Sequence, residues 1–289
     1  MRWSLMTYTV HAGQPGGLQT LEEMADLARE LQFEALELSG RDLAGRTPDE
    51  IADVCAAREV AISCINGPAD LAASDDAAFA SGLVQARALI DAAADMGCPV
   101  VMLIPGRAEG PEDKPRAAER IAEGLREAVA YASGRDVTVT IEDFPNPLAP
   151  YASIEEVRRL LDGVPGLRLT FDNGNWLVGG DDPVAAAREF ADAIANCHVK
   201  DWEPDPQQAR IRLPSGSWIR GGLHGEGVLD HRAILSALVE IGYDGHLAFE
   251  YEGAMDHVEA TRRGMEYLRC VLSAVQQERE AGRGGASGV

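Results

Sequence analysis

The chain has 289 residues, of which 46% are hydrophobic and 25% are charged, and its formal net charge is −21 at pH 7. No apolar stretch approaches the roughly 20 residues that a membrane span needs, and the excess of acidic residues opposes binding to nucleic-acid phosphates. Composition and charge therefore indicate a globular protein that binds neither nucleic acid nor a membrane.

Short segments rich in apolar and β-branched residues alternate along the chain with longer amphipathic segments. Several of the short segments are almost continuously apolar, as expected for parallel strands that are covered on both faces. The predicted strands are 4–10, 35–39, 60–65, 100–105, 137–142, 167–172, 196–200 and 246–251. The predicted helices are 19–32, 48–58, 74–96, 112–133, 153–162, 183–193, 231–241 and 256–277.

Helix start signals support several of these helices. Thr47 precedes a proline at the first helical position, Ser153 and Glu156 fit a capping box, and Asp230 can cap the helix that follows it. Eight strand–helix units in strict alternation predict a closed (β/α)₈ TIM barrel rather than an open sheet. No GxGxxG follows the first strand, which also weighs against a dinucleotide-binding sheet.

The chain is predicted to form one α/β domain over residues 1–278, followed by a flexible Gly- and Ser-rich tail at 279–289. Residues 203–227 are too many for a plain strand-to-helix connection. Within them, ARIRLPSGSWIRGG predicts a hairpin with Ser215 and Gly216 in its turn.

The cellular location is predicted from the cysteines and the first residues. The five cysteines form no Cys-x-x-Cys pair and lie mostly in apolar surroundings, which is typical of reduced thiols in a core. The start, MRWSLMTYTV, lacks the apolar segment and cleavage site of a signal peptide. Both features predict a cytoplasmic protein.

Four polar residues end consecutive predicted strands, and in this type of barrel the chemistry lies where the strands end. They are Glu142, Asp172, His198 and Glu250. Each alone has a simpler interpretation, as a loop residue, a helix cap or an interior histidine. Together, at equivalent places and among apolar residues, they favour a divalent-metal site, because three buried acids without a cation would be costly.

The run IEDF…FDNGNW…CHVKD…HGEG…FEYEG resembles the xylose isomerase-like TIM barrels, the sugar phosphate isomerase/epimerase superfamily, over most of the chain. The resemblance implies that the four strand-end residues bind one divalent ion and that Glu142 and Glu250 are also acid/base groups. It is also compatible with a homo-oligomer, since related barrels are often dimers or tetramers. The chain lacks the additional histidines of the apurinic endonucleases that share this barrel, and Asn175 stands where those enzymes have a histidine ligand.

A mainly oxygen ligand set suits Mn²⁺, Mg²⁺ or Co²⁺, and Zn²⁺ is an alternative. Such an ion would polarise a carbonyl and stabilise the enediolate that forms when an adjacent proton leaves. The resemblance therefore implies a metal-dependent isomerase or epimerase of a small sugar or cyclitol. The alternative is a keto-polyol dehydratase, a lyase of the inosose or dehydroshikimate dehydratase type, and a more distant one is a non-catalytic sugar-binding barrel.

Further rim residues are candidates for substrate binding, and each has a structural alternative. The tryptophans fit either an apolar wall over a sugar or core packing, and Lys200 fits either a substrate oxygen or an ion pair with Asp201. The paired glycines of the HGEG segment would let its backbone approach a ligand closely. The predicted substrate-binding residues are His11, Asn66, Asn175, Trp176, Lys200, Trp202, His224 and Glu226.

Overall fold

Eight parallel strands close into a barrel, which confirms the predicted (β/α)₈ fold class. The computed structural model describes residues 1–286. The first strand pairs with both the second strand and the last barrel strand, and these two pairings close the ring. The barrel strands are β1 (Arg2–Met6), β2 (Ala35–Ser39), β3 (Ala61–Pro68), β4 (Val100–Ile104), β5 (Thr138–Glu142), β6 (Arg168–Asp172), β7 (Ile194–Val199) and β11 (His246–Phe249).

Helices cover the outside of the barrel between successive strands. None of the described helices is both long and apolar enough to cross a membrane. The helices are α1 (Thr7–Val10), α2 (Leu21–Glu30), α3 (Pro48–Ala56), α4 (Asp76–Asp95), α5 (Lys114–Ala132), α6 (Ile154–Gly163), α7 (Trp176–Gly179), α8 (Pro183–Glu189), α9 (His231–Glu240) and α10 (His257–Ala286), with 3-10 turns at Gly40–Leu43 and Pro111–Asp113.

The predicted capping residues begin their helices as expected. The Thr47 side chain accepts a hydrogen bond from the Glu50 backbone N–H at 3.3 Å, and the Asp230 carboxylate accepts one from Ala233 at 2.9 Å. Ser153 caps α6, although the Glu156 side chain reaches back to Ala152 rather than to Ser153 itself. These bonds satisfy donors that the first helical turn leaves free.

Apolar side chains fill the layer between the barrel and its helices, whereas polar side chains occupy the inside of the barrel towards its C-terminal rim. In β2, Leu36 and Leu38 belong to the main hydrophobic core, and Glu37 between them is a fully buried acid. Side chains alternate between the two faces of a strand. The alternation therefore directs Glu37 into the barrel.

Two elements differ from the sequence-based expectations. The first strand ends at Met6 rather than at residue 10, because the chain turns into α1, where the Thr7 hydroxyl donates to the Glu37 carbonyl at 3.2 Å. At the other end, α10 continues to Ala286, through much of the expected tail at 279–289. The last three residues, 287–289, lie outside the described residues.

The long connection after β7 forms a small antiparallel sheet of β8 (Trp202–Pro204), β9 (Ile211–Arg212) and β10 (Trp218–Gly221). β9 and β10 pair as the predicted hairpin, and Gly216 lies in its turn with a φ of 90°, a conformation that favours glycine. This sheet lies at the C-terminal end of the barrel.

Candidate metal centre

The alternation of side chains along β5 and β6 directs two of the candidate ligands to the inside of the barrel. Glu142 and Asp172 are the last residues of β5 and β6, and each lies two residues after a buried threonine of the same strand. The hydroxyls of these threonines, Thr140 and Thr170, are 2.7 Å apart. Because residues two apart share a face of a strand, the carboxylates lie on this same inner side.

The remaining two ligands lie on neighbouring strands. His198 is paired in register with Asp172 on one side and with Ala248 on the other, and Glu250 follows two residues after Ala248. One side-chain ligand atom of Glu142 and one from each of the other three lie within 4.8 Å of one another, and all four residues are buried. The structure thus brings together the four residues that the sequence singled out.

A fifth acid, Glu37, was missed by the sequence reasoning. Its carboxylate lies beneath His198, with Glu37 Oε1 2.8 Å from His198 Nε2. On the other side of the ring, His198 Nδ1 lies 2.6 Å from Glu142 Oε1 and 3.8 Å from Glu250 Oε2. A charged residue inside the otherwise apolar pattern ALELS is the signal that could have identified Glu37.

The turn after β6 fixes Asp172. Its Oδ1 accepts hydrogen bonds from the backbone N–H groups of Gly174 and Asn175, both at 2.8 Å. The neighbouring Asp143 accepts one from the Asp172 N–H at 2.8 Å, and burial raises the pKa of Asp143 well above its usual range. With Oδ1 engaged by the turn, Asp172 Oδ2 is the oxygen left for the cluster.

Lys200 extends into the cluster from the end of β7. Its Nζ lies 2.9 Å from Glu250 Oε2, 3.3 Å from Asp172 Oδ2 and 3.4 Å from Glu252 Oε2. The alternative ion pair with Asp201 is wrong, because the Asp201 carboxylate accepts backbone N–H groups of the loop at 225–229 instead. Lys200 is therefore a buried cation of the site itself.

The electrostatics of the cluster favour positive charge. Burial would lower the pKa of His198, but Glu37 and Glu142 raise it well above its usual range. Burial also opposes the charge on Lys200, yet the surrounding carboxylates raise its pKa well above the ordinary value. Burial raises the pKa of Asp172 to about 7, although Lys200 opposes the rise. The cluster contains more carboxylates than these two cationic groups can balance.

The donor set fits a divalent cation. Asp172 Oδ2 and Glu250 Oε2 are buried and have no well-oriented hydrogen-bond donor among the described residues, although the Lys200 ammonium lies close to both. Buried polar atoms normally have a partner. Three carboxylates and one imidazole are the ligand types of Mn²⁺, Mg²⁺, Co²⁺ and Zn²⁺ sites. These residues therefore form a candidate site for one divalent ion.

Divalent cations are expected to stabilise the fold. An ion that binds only the folded chain, at about 100 times its Kd, adds about 2.7 kcal/mol to the free energy of unfolding, which raises Tm by about 4 to 5 °C for a chain of this size. Differential scanning calorimetry of chelator-treated protein, with and without Mn²⁺, Mg²⁺, Co²⁺ or Zn²⁺, measures the shift. Addition of EDTA should reverse it, and an unchanged Tm with all four ions would contradict the site.

A cavity of about 790 Å³ adjoins the cluster through Glu252, which lines the cavity and contacts Lys200. Its wall includes Trp202 and Glu252, beside the Lys200 ammonium, and the Tyr8 hydroxyl donates to Glu252 at 3.3 Å. Arg210 and other residues of the small β8–β10 sheet region line the opposite side. The volume lies within the range of about 300–1,000 Å³ that is typical of small-molecule sites.

Three predicted substrate-binding residues contact other groups of the protein. Asn66 donates to Glu37 Oε1 at 3.0 Å, and Asn175 donates to the Asp143 carbonyl at 2.9 Å. Trp176 is fully buried and packs against Phe171 and Phe190. None of the three lines the cavity.

Three others are not among the residues that line the cavity. His11 accepts a hydrogen bond from the Gly13 N–H at 2.9 Å on the loop after α1. His224 is buried, stacks on Phe249 and lies 2.9 Å from the Val199 carbonyl, and its burial lowers its pKa to about 3. Glu226 pairs with Arg263 on the surface at 2.7 Å. Of the predicted substrate-binding residues, the structure places Lys200 at the cluster and Trp202 in the cavity wall.

Trp176→Ala is expected to reduce stability rather than substrate binding. Truncating a fully buried tryptophan removes core contacts and leaves a void, which typically costs about 3–5 kcal/mol in the free energy of unfolding. Urea denaturation of wild-type and variant protein measures the change. An unchanged unfolding midpoint combined with weaker substrate binding would instead place Trp176 in the substrate site.

Comparison with known proteins agrees with this architecture. A family model described as xylose isomerase-like TIM barrel matches residues 25–270. An inosose dehydratase of Lacticaseibacillus casei is 27% identical over 179 residues, a match that covers 57% of this chain and 59% of that relative's length. An L-ribulose-5-phosphate 3-epimerase, UlaE, of Escherichia coli (strain K12 / DH10B) is 26% identical over 278 residues, covering 90% of this chain and 92% of the relative.

Solved structures share the fold at lower sequence identity. An L-ribulose 3-epimerase superposes with a TM-score of 0.79 at 20% identity, covering 97% of both chains. The IolI protein, whose crystal structure contains a bound zinc atom, superposes with a TM-score of 0.77 at 16% identity, covering 95% of this chain and 98% of its own. At these identities the likeness establishes the barrel.

Proposed function

The chain belongs to the xylose isomerase-like TIM barrel family, and from this premise we propose that it is a divalent-metal-dependent isomerase or epimerase of a small sugar or cyclitol. The observation that carries the proposal is the convergence of ligand atoms of Glu142, Asp172, His198 and Glu250 within 4.8 Å of one another. Relatives named as an epimerase and as a dehydratase support an enzyme of isomerase type, with a lyase as the alternative.

We propose that these four residues hold the ion, with Asp172 Oδ2 and His198 Nδ1 as two of the ligand atoms. When bound, a divalent cation supplies Lewis-acid polarisation of a substrate carbonyl. The oxygen-rich set favours Mn²⁺, Mg²⁺ or Co²⁺, and the zinc atom in the IolI structure makes Zn²⁺ a further candidate.

Glu142 and Glu250 are proposed to move the proton. Glu142 is the last residue of β5 and Glu250 directly follows β11, and both belong to the same cluster. One carboxylate removes the proton next to the substrate carbonyl and keeps it, and the other, in its protonated form, delivers its own proton to the opposite face of the planar enediolate, which inverts that carbon. Return of the proton to the neighbouring carbon gives isomerisation instead.

Other side chains are proposed to orient the substrate. The Lys200 ammonium is a hydrogen-bond donor between Glu250 and the cavity-lining Glu252 and can hold a substrate oxygen there. Trp202 presents an apolar wall, and Glu252 accepts hydrogen bonds from hydroxyl groups. The β8–β10 region lies across the cavity and limits access of water to the enediolate.

The test is solvent exchange. Protein loaded with Mn²⁺ is incubated in D₂O with a panel of ketopentoses, ketohexoses, their phosphates and inososes, and the products are followed by NMR and ultraviolet absorbance. Deuterium next to the carbonyl, with formation of an epimer or isomer, supports the proposal. An absorbing enone without exchange supports the second candidate, a dehydratase, which the inosose dehydratase relative favours. Binding without either reaction would overturn both and leave a sugar-binding barrel.

A further inference from the structure

Glu37 is a buried polar residue of the barrel interior whose contacts the proposed reaction leaves unexplained. It lies on β2, far along the chain from the candidate ligands, and its side chain is fully buried. Burying a carboxylate is costly unless hydrogen bonds compensate for the lost water. The contacts of Glu37 therefore require an explanation.

Three donors surround the Glu37 carboxylate. Asn66 Nδ2 donates to Oε1 at 3.0 Å, and Asn196 Nδ2 donates to Oε2 at 2.8 Å. The third is His198 Nε2, at 2.8 Å from Oε1. The two amides come from β3 and β7, so the carboxylate is held from both sides of the barrel interior.

Both ring nitrogens of His198 face carboxylates, and the partner of Nε2, Glu37, lies outside the candidate ligand set. An ionised carboxylate only accepts hydrogen bonds, so the hydrogen on Nε2 must point at Glu37. The other nitrogen, Nδ1, then faces the cluster, 2.6 Å from Glu142 Oε1 and 3.8 Å from Glu250 Oε2. A histidine that binds a metal does so through a nitrogen without hydrogen, and its second nitrogen is commonly held by a carboxylate.

We propose that Glu37 is a positioning residue: it holds His198 with the hydrogen on Nε2 and the ring fixed, so that Nδ1 is presented to the divalent ion. Asn66 and Asn196 keep the Glu37 carboxylate oriented for this task. The inference rests on the proposed metal-dependent function and adds a residue that touches neither the ion nor the substrate.

Glu37→Gln is the informative variant. It keeps the shape of the side chain and one carbonyl oxygen for His198, and the Asn196 amide can rotate to accept from the new NH₂ group. The negative charge next to the imidazole is lost. Thr140→Val is a matched control, because it removes a buried hydrogen bond to Thr170 inside the same barrel without touching His198.

Isothermal titration calorimetry of Mn²⁺ into the chelator-treated full-length proteins is the first measurement. Loss of a residue that supports a ligand typically weakens metal binding by 10- to 100-fold. We expect a loss in that range for Glu37→Gln, and an affinity for Thr140→Val that is unchanged within about threefold, at the level of ordinary variation between variants. Circular dichroism confirms that each variant is folded.

The second measurement needs no variant. In the Zn²⁺-loaded wild-type protein with ¹⁵N-labelled histidine, long-range ¹H–¹⁵N NMR spectra identify which nitrogen of His198 carries hydrogen. We expect hydrogen on Nε2 and none on Nδ1. The inference is overturned if Nδ1 carries the hydrogen, or if folded Glu37→Gln binds Mn²⁺ as tightly as the wild type. Failure of the wild-type protein to bind any divalent ion would overturn the proposed function together with it.

Discussion

Replacing Glu250 or Glu142 by glutamine is expected to lower kcat for the exchange or epimerisation reaction by about 10²- to 10⁴-fold, the range that a positioned acid or base contributes. An amide cannot accept the proton that the reaction removes, and it is also a weaker ligand for a cation. Rates of deuterium incorporation under metal saturation, measured separately from each epimer, test this expectation.

The Glu142→Gln and Glu250→Gln variants also distinguish a mechanism with one catalytic base from a mechanism with two. If each carboxylate serves one face of the enediolate, a single variant should not slow both epimers equally. Exchange from one epimer should be lost more completely than exchange from the other. Glu240→Gln, a surface carboxylate on α9 that pairs with Arg188, is the matched control. Near wild-type rates in both cluster variants would contradict the proposed roles.

Asp172→Asn is expected to reduce the affinity for the divalent ion by at least about 100-fold. Asparagine can retain the Oδ1 hydrogen bonds to Gly174 and Asn175, so the turn is preserved. Its NH₂ group would then replace Oδ2 and face both the ion and the Lys200 ammonium. Removing one partner of a buried charge pair costs about 3–5 kcal/mol, and each 1.4 kcal/mol is a factor of ten in affinity.

Titration calorimetry with Mn²⁺ measures this loss, and far-ultraviolet circular dichroism checks the fold. Asp162→Asn, at an exposed position on α6, is a control for the same chemical change elsewhere. Retention of wild-type affinity by Asp172→Asn would mean that the ion, if one binds, is held at another place.

The barrel could be predicted because each of its units follows a local rule. The apolar run of β4 and the capping residues Thr47 and Asp230 each determine the local structure of only a few neighbouring residues. The alternation of strands and helices then allows only a few topologies. The end of β1 was not predictable in this way. Residues 7–10 have the composition of a strand, but contacts with β2 turn them into α1.

The candidate ligands were predictable because a strand end fixes where a side chain emerges in this barrel. The contacts of side chains outside the strands were not predictable, because they depend on how separate elements pack together. Trp176 packs in the core and His224 contacts the Val199 carbonyl, although both lie in segments next to the rim. Glu37 was overlooked because its partner, His198, is distant in the sequence and adjacent only in the closed barrel.

Anomalous X-ray diffraction from crystals of the Mn²⁺-loaded protein tests the central claim most directly. The account predicts one manganese peak at about 2.0–2.6 Å from Asp172 Oδ2, His198 Nδ1 and one carboxylate oxygen each of Glu142 and Glu250. A peak elsewhere, or no peak with the Lys200 ammonium still seated between Asp172 and Glu250, would contradict it.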